Sequence, residues 1–391
     1  MKRSLASLGL HEYYALEGAH SLACTLFTTC VMFWTERRYG YSSAWNLWLN
    51  AVQGLAYVVS SWVGGMLADR LGYDRQLRVA IVAAGVLLLC GWLPAWRGTP
   101  FVVTTLYALT MGATWPALEA VILHAPGRLT MPQRMGIYNV MWAVVGAVGV
   151  FGSAPLFALR PSVVFWLPGV LHAGEALYMW VRRGRGGEGV GLTAMELPHR
   201  GNHVAFLLKR RLLYTAWVAN AVGYMLCAAF VAVAPFVGQR LGLSVRDAIW
   251  LVSVYLIARG VGFVLFWRWE GWHYHVVWNV AAAIVGPASM AVVLLISHAG
   301  AAVVALAMFG LAHSMSYAGS LYYSVDRGEE KGAHSGLHEA ILGLGIFAGP
   351  LAGAAGAALW RAPFAAEVTV LTMAFCATIA GLGWIYTARR E

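Results

Sequence analysis

Arg259 stands in the middle of an apolar run of this 391-residue chain, where a charged side chain needs a specific reason to be. Counted from Asp247 it lies about twelve residues, or roughly 18 Å, along a helix. A guanidinium at that depth in a membrane is costly unless a carboxylate or an anionic ligand meets it. Two readings follow: a structural ion pair, or binding and coupling of an anionic solute.

The other polar side chains inside apolar runs are candidates by the same argument. Glu17, Ser21, Cys24 and Thr28 recur at helical spacing on one face, with His20 beside them. Further along come Thr114 and Glu119, then Asn220, Tyr224 and Cys227 on one stripe, and Tyr255 one turn before Arg259. His313, Ser316 or Tyr317, Ser320 and Tyr323 form another stripe, and His338-Glu339 opens a later run. Glu17, Glu119 and Glu339 are candidate proton carriers, because a carboxyl whose surroundings change between two states can bind and release a proton. Glu339 is the weakest of them, placed one turn inside a membrane face, and Glu175 is expected near that same face. His20, His313, His338 and His172 titrate in the physiological range when unperturbed.

Enzymatic chemistry finds no support in these residue types. His338-Glu339 lacks the second histidine of a zinc helix, since position 342 is Leu. The histidines belong to different segments and show no metal spacing, so no metal or other cofactor is expected. Cys24, Cys30, Cys90, Cys227 and Cys376 all lie in apolar runs, without metal-ligand or disulfide spacing. No nucleophile–base set stands out, and the chain is not expected to be an enzyme.

What must position these residues is a membrane bundle. Apolar residues make up 60% and charged ones 11%, against roughly 45–50% and about 25% in soluble domains. A spanning helix needs about 20 mostly apolar residues. By that measure there are twelve spans, near 11–35, 43–68, 77–95, 99–123, 134–158, 161–181, 211–237, 246–268, 274–297, 299–325, 335–360 and 364–388. No cleavable signal peptide is expected, because Glu17 and His20 interrupt the first run. With the N-terminus inside, nineteen of the 27 Lys and Arg fall on the cytoplasmic side and seven outside. That asymmetry has the sign expected of a plasma membrane protein with both termini cytoplasmic. A net charge of +10 distributed this way, between apolar runs, is no nucleic-acid surface.

The chain divides near its middle. A glycine- and arginine-rich stretch between runs six and seven reads as a cytoplasmic linker, 182–210, between six-helix bundles at 1–181 and 211–391. The halves are weakly alike. Tyr39-Gly40-Tyr41-Ser42 follows run one as Leu241-Gly242-Leu243-Ser244 follows run seven, and Gly136-Ile-Tyr138-Asn139 opens run five as Gly336-Leu-His338-Glu339 opens run eleven. Parallel repeats place a binding site between the halves, near the bilayer midplane. Asn139 joins the candidate site residues on this ground.

Twelve spans, a 6+6 division and the stretch Gly65-Met-Leu-Ala-Asp69-Arg70-Leu-Gly72-Tyr73-Asp74-Arg75 resemble the major facilitator superfamily of secondary transporters. That family's signature between helices 2 and 3 is matched by Gly65, Asp69, Arg70 and Gly72. Tyr73 and Asp74 depart from it where basic residues are usual. The resemblance implies an all-α fold of two pseudo-symmetric six-helix bundles, and a gating role for those four matching residues, with Asp69 against the start of helix 11. It implies that helices 1, 4, 7 and 10 line a cavity, with Trp115 and Trp142 as further candidates to face it. Gly345-x-x-x-Gly349-Pro350-x-x-Gly353 is similar to an antiporter pattern but stands in the wrong helix, and reads as close packing.

The expectation is therefore a monomeric secondary transporter in a lipid bilayer, in a bacterial inner membrane, moving a small polar, amphipathic or anionic solute by alternating access with proton coupling. Export of hydrophobic compounds against protons is the alternative, and a non-transporting sensor or assembly subunit is the reading from another class.

Overall fold

The computed structural model describes residues 8–91, 96–124, 128–183, 206–326, 331–360 and 362–387. Among them are twelve α-helices and no strand: α1 (Leu10–Tyr39), α2 (Ser43–Leu71), α3 (Tyr73–Gly91), α4 (Thr99–His124), α5 (Met131–Leu159), α6 (Val163–Arg183), α7 (Phe206–Arg240), α8 (Val245–Arg268), α9 (Val276–Leu295), α10 (Ala299–Asp326), α11 (Lys331–Leu359) and α12 (Ala365–Thr387). Ten are long and apolar enough to cross a membrane. The two that fall short are α3 and α6; α6 carries His172 and Glu175 inside and ends on two arginines. Most of the expected linker, 184–205, lies outside the described residues.

The similarity of the halves has a local cause. Gly40 and Gly242 both take positive φ, 63° and 70°, at the ends of α1 and α7. A residue with a Cβ pays about 1–2 kcal/mol in that conformation, so glycine is the economical choice there. Two residues later, Ser42 and Ser244 cap the next helices, their hydroxyls accepting from the backbone N–H of Trp45 at 3.4 Å and of Asp247 at 3.2 Å. The same stop–turn–start device is used twice.

The charged stretch after α2 is less of a loop than expected. A single residue, Gly72 at φ 90°, separates α2 from α3. Gly65, Asp69 and Arg70 lie in the last turns of α2, and Arg75 and Arg78 lie within α3. The two departures from the family signature make bonds of their own. Tyr73 donates its hydroxyl to Asp69 at 2.5 Å, and Asp74 accepts from Tyr13 of α1 at 2.5 Å while Arg78 stands 3.8 Å away. The side chains of 331–336, at the start of α11, are outside the described residues, so Asp69's described partner is Tyr73.

Across the midline, α2 packs along α11 and α5 along α8. Both seams depend on missing side chains. A Cβ on Gly54 would come within 2.6 Å of the Phe347 backbone, and one on Gly136 within 2.0 Å of the Trp267 ring. The glycine-rich pattern of α11 serves packing against α7, as expected: a Cβ on Gly345 would meet the Ala221 carbonyl at 2.3 Å, and one on Gly349 the Met225 carbonyl at 2.0 Å. Buried apolar residues form two clusters. Helix α8 passes from one to the other between Tyr255 and Phe263, and Arg259 sits at the change. Outward surfaces stay apolar, with Trp62, Val79, Trp180, Ile379 and Trp384 all exposed, as lipid contact requires.

Candidate functional site

A central cavity leaves about 180 Å³ in which the centre of a water molecule can move. Both halves line it. From the first come Thr25, Thr28 and Thr29 of α1, Asn50, Gln53 and Tyr57 of α2, Trp115 of α4, and Tyr138 and Trp142 of α5. From the second come Tyr224 and Cys227 of α7, Tyr255 and Arg259 of α8, Tyr317 of α10 and Glu339 of α11. The site is polar at a few points and aromatic elsewhere, the usual character of a small-molecule pocket.

Among the described residues, Arg259 has no carboxylate partner. It does not belong to any described ion pair. Its terminal nitrogens donate to two phenols, Tyr255 and Tyr224, each at 2.8 Å, and its Nε has no hydrogen-bond partner. Rings surround the guanidinium: Trp142 at 4.5 Å to the centroid, Tyr224 at 5.0 Å, Tyr317 at 5.3 Å, Phe263 at 5.6 Å and Tyr255 at 5.9 Å. Ring faces hold a cation without neutralising it. Of the two readings open for Arg259, the ion pair finds no support in the described contacts.

Glu339, ranked last of the three candidate acids from the sequence, is the one that lines the cavity among the described residues. Helix α11 starts at Lys331, four residues earlier than expected, and Glu339 is its ninth residue. It is buried, and the Tyr57 hydroxyl donates to its Oε2 across the α2–α11 seam. Arg259 lies within electrostatic reach of it. A second tie across the midline runs from the Asn50 amide to the Ala228 carbonyl at 2.8 Å.

The remaining candidates stand behind the wall or away from it. Glu17 accepts from Ser21 at 2.9 Å and from the Trp115 indole at 3.2 Å, so one cavity residue separates it from the interior. Glu119 is buried within electrostatic reach of Glu17 and Glu339, and its Oε2 is unpartnered. His313 lies behind Tyr255, with Nδ1 3.0 Å from its hydroxyl. His338 lies 3.2 Å from Ser320 and packs edge-on against Tyr317. Asn220 is fully buried, neither amide atom hydrogen-bonded. Asn139 lines a separate cavity with Gly136, Trp267 and Glu270.

Sequence reasoning missed Asn50, Gln53 and Tyr57. Their spacing of three and four puts them on one stripe of α2, and that signal is visible without a structure. It also placed Glu175 at a membrane face. Glu175 is buried, its Oε2 3.1 Å from His172 Nδ1 and 3.5 Å from His20 Nδ1. His20, Cys24 and His172, on two different helices, bring their ligand atoms within 4.8 Å of one another. No spacing along a single helix could have revealed that.

The family model described as Major Facilitator Superfamily matches residues 19–350. Among solved structures, the chain is similar to the nucleoside transporter NupG, with a TM-score of 0.69 and 12% identity, over 98% of this chain and 100% of that one. It is similar also to the human organic anion transporter MFSD10 (TETRAN), with a TM-score of 0.65 and 13% identity, over 96% of this chain and 98% of that one. At such identities the likeness is one of fold. No curated protein sequence matches the chain.

Proposed function

The chain belongs to the Major Facilitator Superfamily, and from that premise we propose that it is a proton-coupled carrier for a small amphipathic organic anion. The reading rests on Arg259, a buried cation at the cavity wall whose described neighbours are rings and phenols rather than carboxylates. An anionic head placed there takes a charge-assisted bond, which is stronger than a neutral one. Tyr138, Trp142 and Trp115 supply apolar surface for the rest of the solute.

Glu339 is the proton site in this proposal. It shares the cavity with Arg259, and its bond to Tyr57 crosses the midline that alternating access must open. Protonation removes the repulsion between its carboxylate and an anionic solute. Proton and anion then load together. The two bundles, 1–181 and 211–391, rock about this site with both termini cytoplasmic, in a bacterial inner membrane and as a monomer.

The test is radiolabelled uptake and counterflow in proteoliposomes, preceded by thermal stabilisation against a library of organic anions, cations and neutral solutes. Hits confined to anions, abolished by Arg259→Ala, are expected. Hits confined to hydrophobic cations would replace the proposal with drug export, and binding without counterflow would replace it with a sensor.

A further inference from the structure

Behind Trp115 lies a cluster of metal-ligating side chains that the transport reading does not use. His20 and Cys24 stand one turn apart on α1, and His172 faces them from α6. All three are buried. The Tyr107 hydroxyl joins two of them, lying 2.8 Å from His172 Nε2 and 3.2 Å from Cys24 Sγ, so these two ligand atoms already face one point. The rings of His20 and His172 are 5.1 Å apart.

A second observation points to a ligand. His20 Nε2 has no described hydrogen-bond partner although the residue has no exposure, and neither has Glu175 Oε1, while His20 Nδ1 lies 3.5 Å from Glu175 Oε2. Buried polar atoms are satisfied in the great majority of cases, so orphans gathered at one place ask for an occupant. Glu175 Oε2 lies 3.1 Å from His172 Nδ1. That contact leaves Nε2 as the ligating atom and reproduces the carboxylate–histidine support found around protein-bound zinc.

We propose that His20, Cys24 and His172 bind one borderline-soft divalent cation of the zinc type, with Glu175 orienting the histidines. Two imidazoles and a thiolate suit such an ion and do not suit the oxygen-seeking calcium or magnesium. Ligand atoms around tetrahedral zinc stand about 3.5 Å apart, so side-chain rotations of roughly an ångström bring the three donors into place and leave the fourth position to a water molecule. Binding displaces the Cys24 thiol proton, which passes to solvent. The ion ties α1 to α6 inside the first bundle. The site is independent of the solute site, and its test does not involve transport.

The experiment is titration of the purified, metal-free full chain in detergent with Co²⁺, a spectroscopic stand-in for Zn²⁺. One ion per chain, a thiolate-to-cobalt charge-transfer band and displacement by Zn²⁺ but not Mg²⁺ are expected. A chain carrying Cys30→Ser, Cys90→Ser, Cys227→Ser and Cys376→Ser retains the band, since Cys24 remains. Cys24→Ser removes it, and Glu175→Gln weakens binding roughly 10- to 100-fold. Absence of the band from the chain retaining only Cys24, or its survival in Cys24→Ser, overturns the assignment. The first measurement decides the matter even if Cys24→Ser fails to fold.

Discussion

The guanidinium of Arg259 lies 4.5 Å from the centre of the Trp142 ring, α8 meeting α5 across the midline between the two halves. Its charge is thereby held at the seam by a neutral face, with phenols rather than carboxylates as its hydrogen-bond acceptors.

Replacing that charge should separate binding from packing. Arg259→Lys keeps the cation but loses the planar fork that spans Tyr224 and Tyr255. Arg259→Ala loses both. The expected cost to anion binding in the alanine variant is about 2 kcal/mol, roughly thirty-fold in Kd, with the lysine variant intermediate. Ligand-dependent shifts in Tm check this, and an unchanged Kd in Arg259→Ala would remove the anion site.

Coupling should depend on Glu339. In the proposed mechanism the proton and the anion load together, so uptake rises as the external pH is lowered and falls as it is raised. Glu339→Gln mimics the protonated acid permanently. It should retain counterflow, which needs no net proton movement, while losing accumulation driven by a pH gradient. Parallel assays at two external pH values check both. Gradient-driven accumulation that survives Glu339→Gln would transfer the proton site to another acid.

Tyr57→Phe removes the donor to Glu339 and leaves the ring in place. A buried carboxyl that loses one hydrogen bond should destabilise the fold by about 1–3 kcal/mol. The pH dependence of uptake should shift as well, which a purely structural role for the phenol would not cause. Thermal unfolding and uptake profiles against pH, measured on the same preparation, read the two effects separately.

The glycines of α11 make a stability prediction. At Gly349 a Cβ would stand 2.0 Å from the Met225 carbonyl, a backbone atom that cannot swing aside. Gly349→Ala should therefore cost about 1–3 kcal/mol through separation of α11 from α7. Gly152, with nothing near the Cβ position, is the control, and Gly152→Ala should leave Tm unchanged or raise it.

The matched turns predict matched effects. Gly40→Ala and Gly242→Ala each force a Cβ into the left-handed region, and each should cost about 1–2 kcal/mol. Equal losses of Tm would show the two halves using one device. A neutral result at either position would show that its turn relaxes.

Much of the fold was legible in the chain, because lipid imposes its rules locally. Run length and glycine breaks each act within a few residues, so the helices and the paired turns could be read in order. Tyr224, Tyr255, Arg259 and Tyr317 were legible too, as polar side chains recurring at helical spacing in apolar runs. The break at Gly72 was located, but the loop drawn around it was too long, since charged residues in the last turns of α2 and the first of α3 look like a loop when only hydropathy is counted.

Three-dimensional packing decided the rest. Whether Arg259 has a carboxylate partner depends on which other helices reach it, and no local rule fixes that. Glu339 gained its place from the packing of α11 along α2, where it meets Tyr57, 282 residues away. His20, Cys24, His172 and Glu175 became one cluster when α1 and α6 came together. Sequence determined what each helix carries and on which face, because periodicity is a property of a single helix. The tertiary structure determined which of those faces look at one another, because that depends on contacts between residues far apart in the chain.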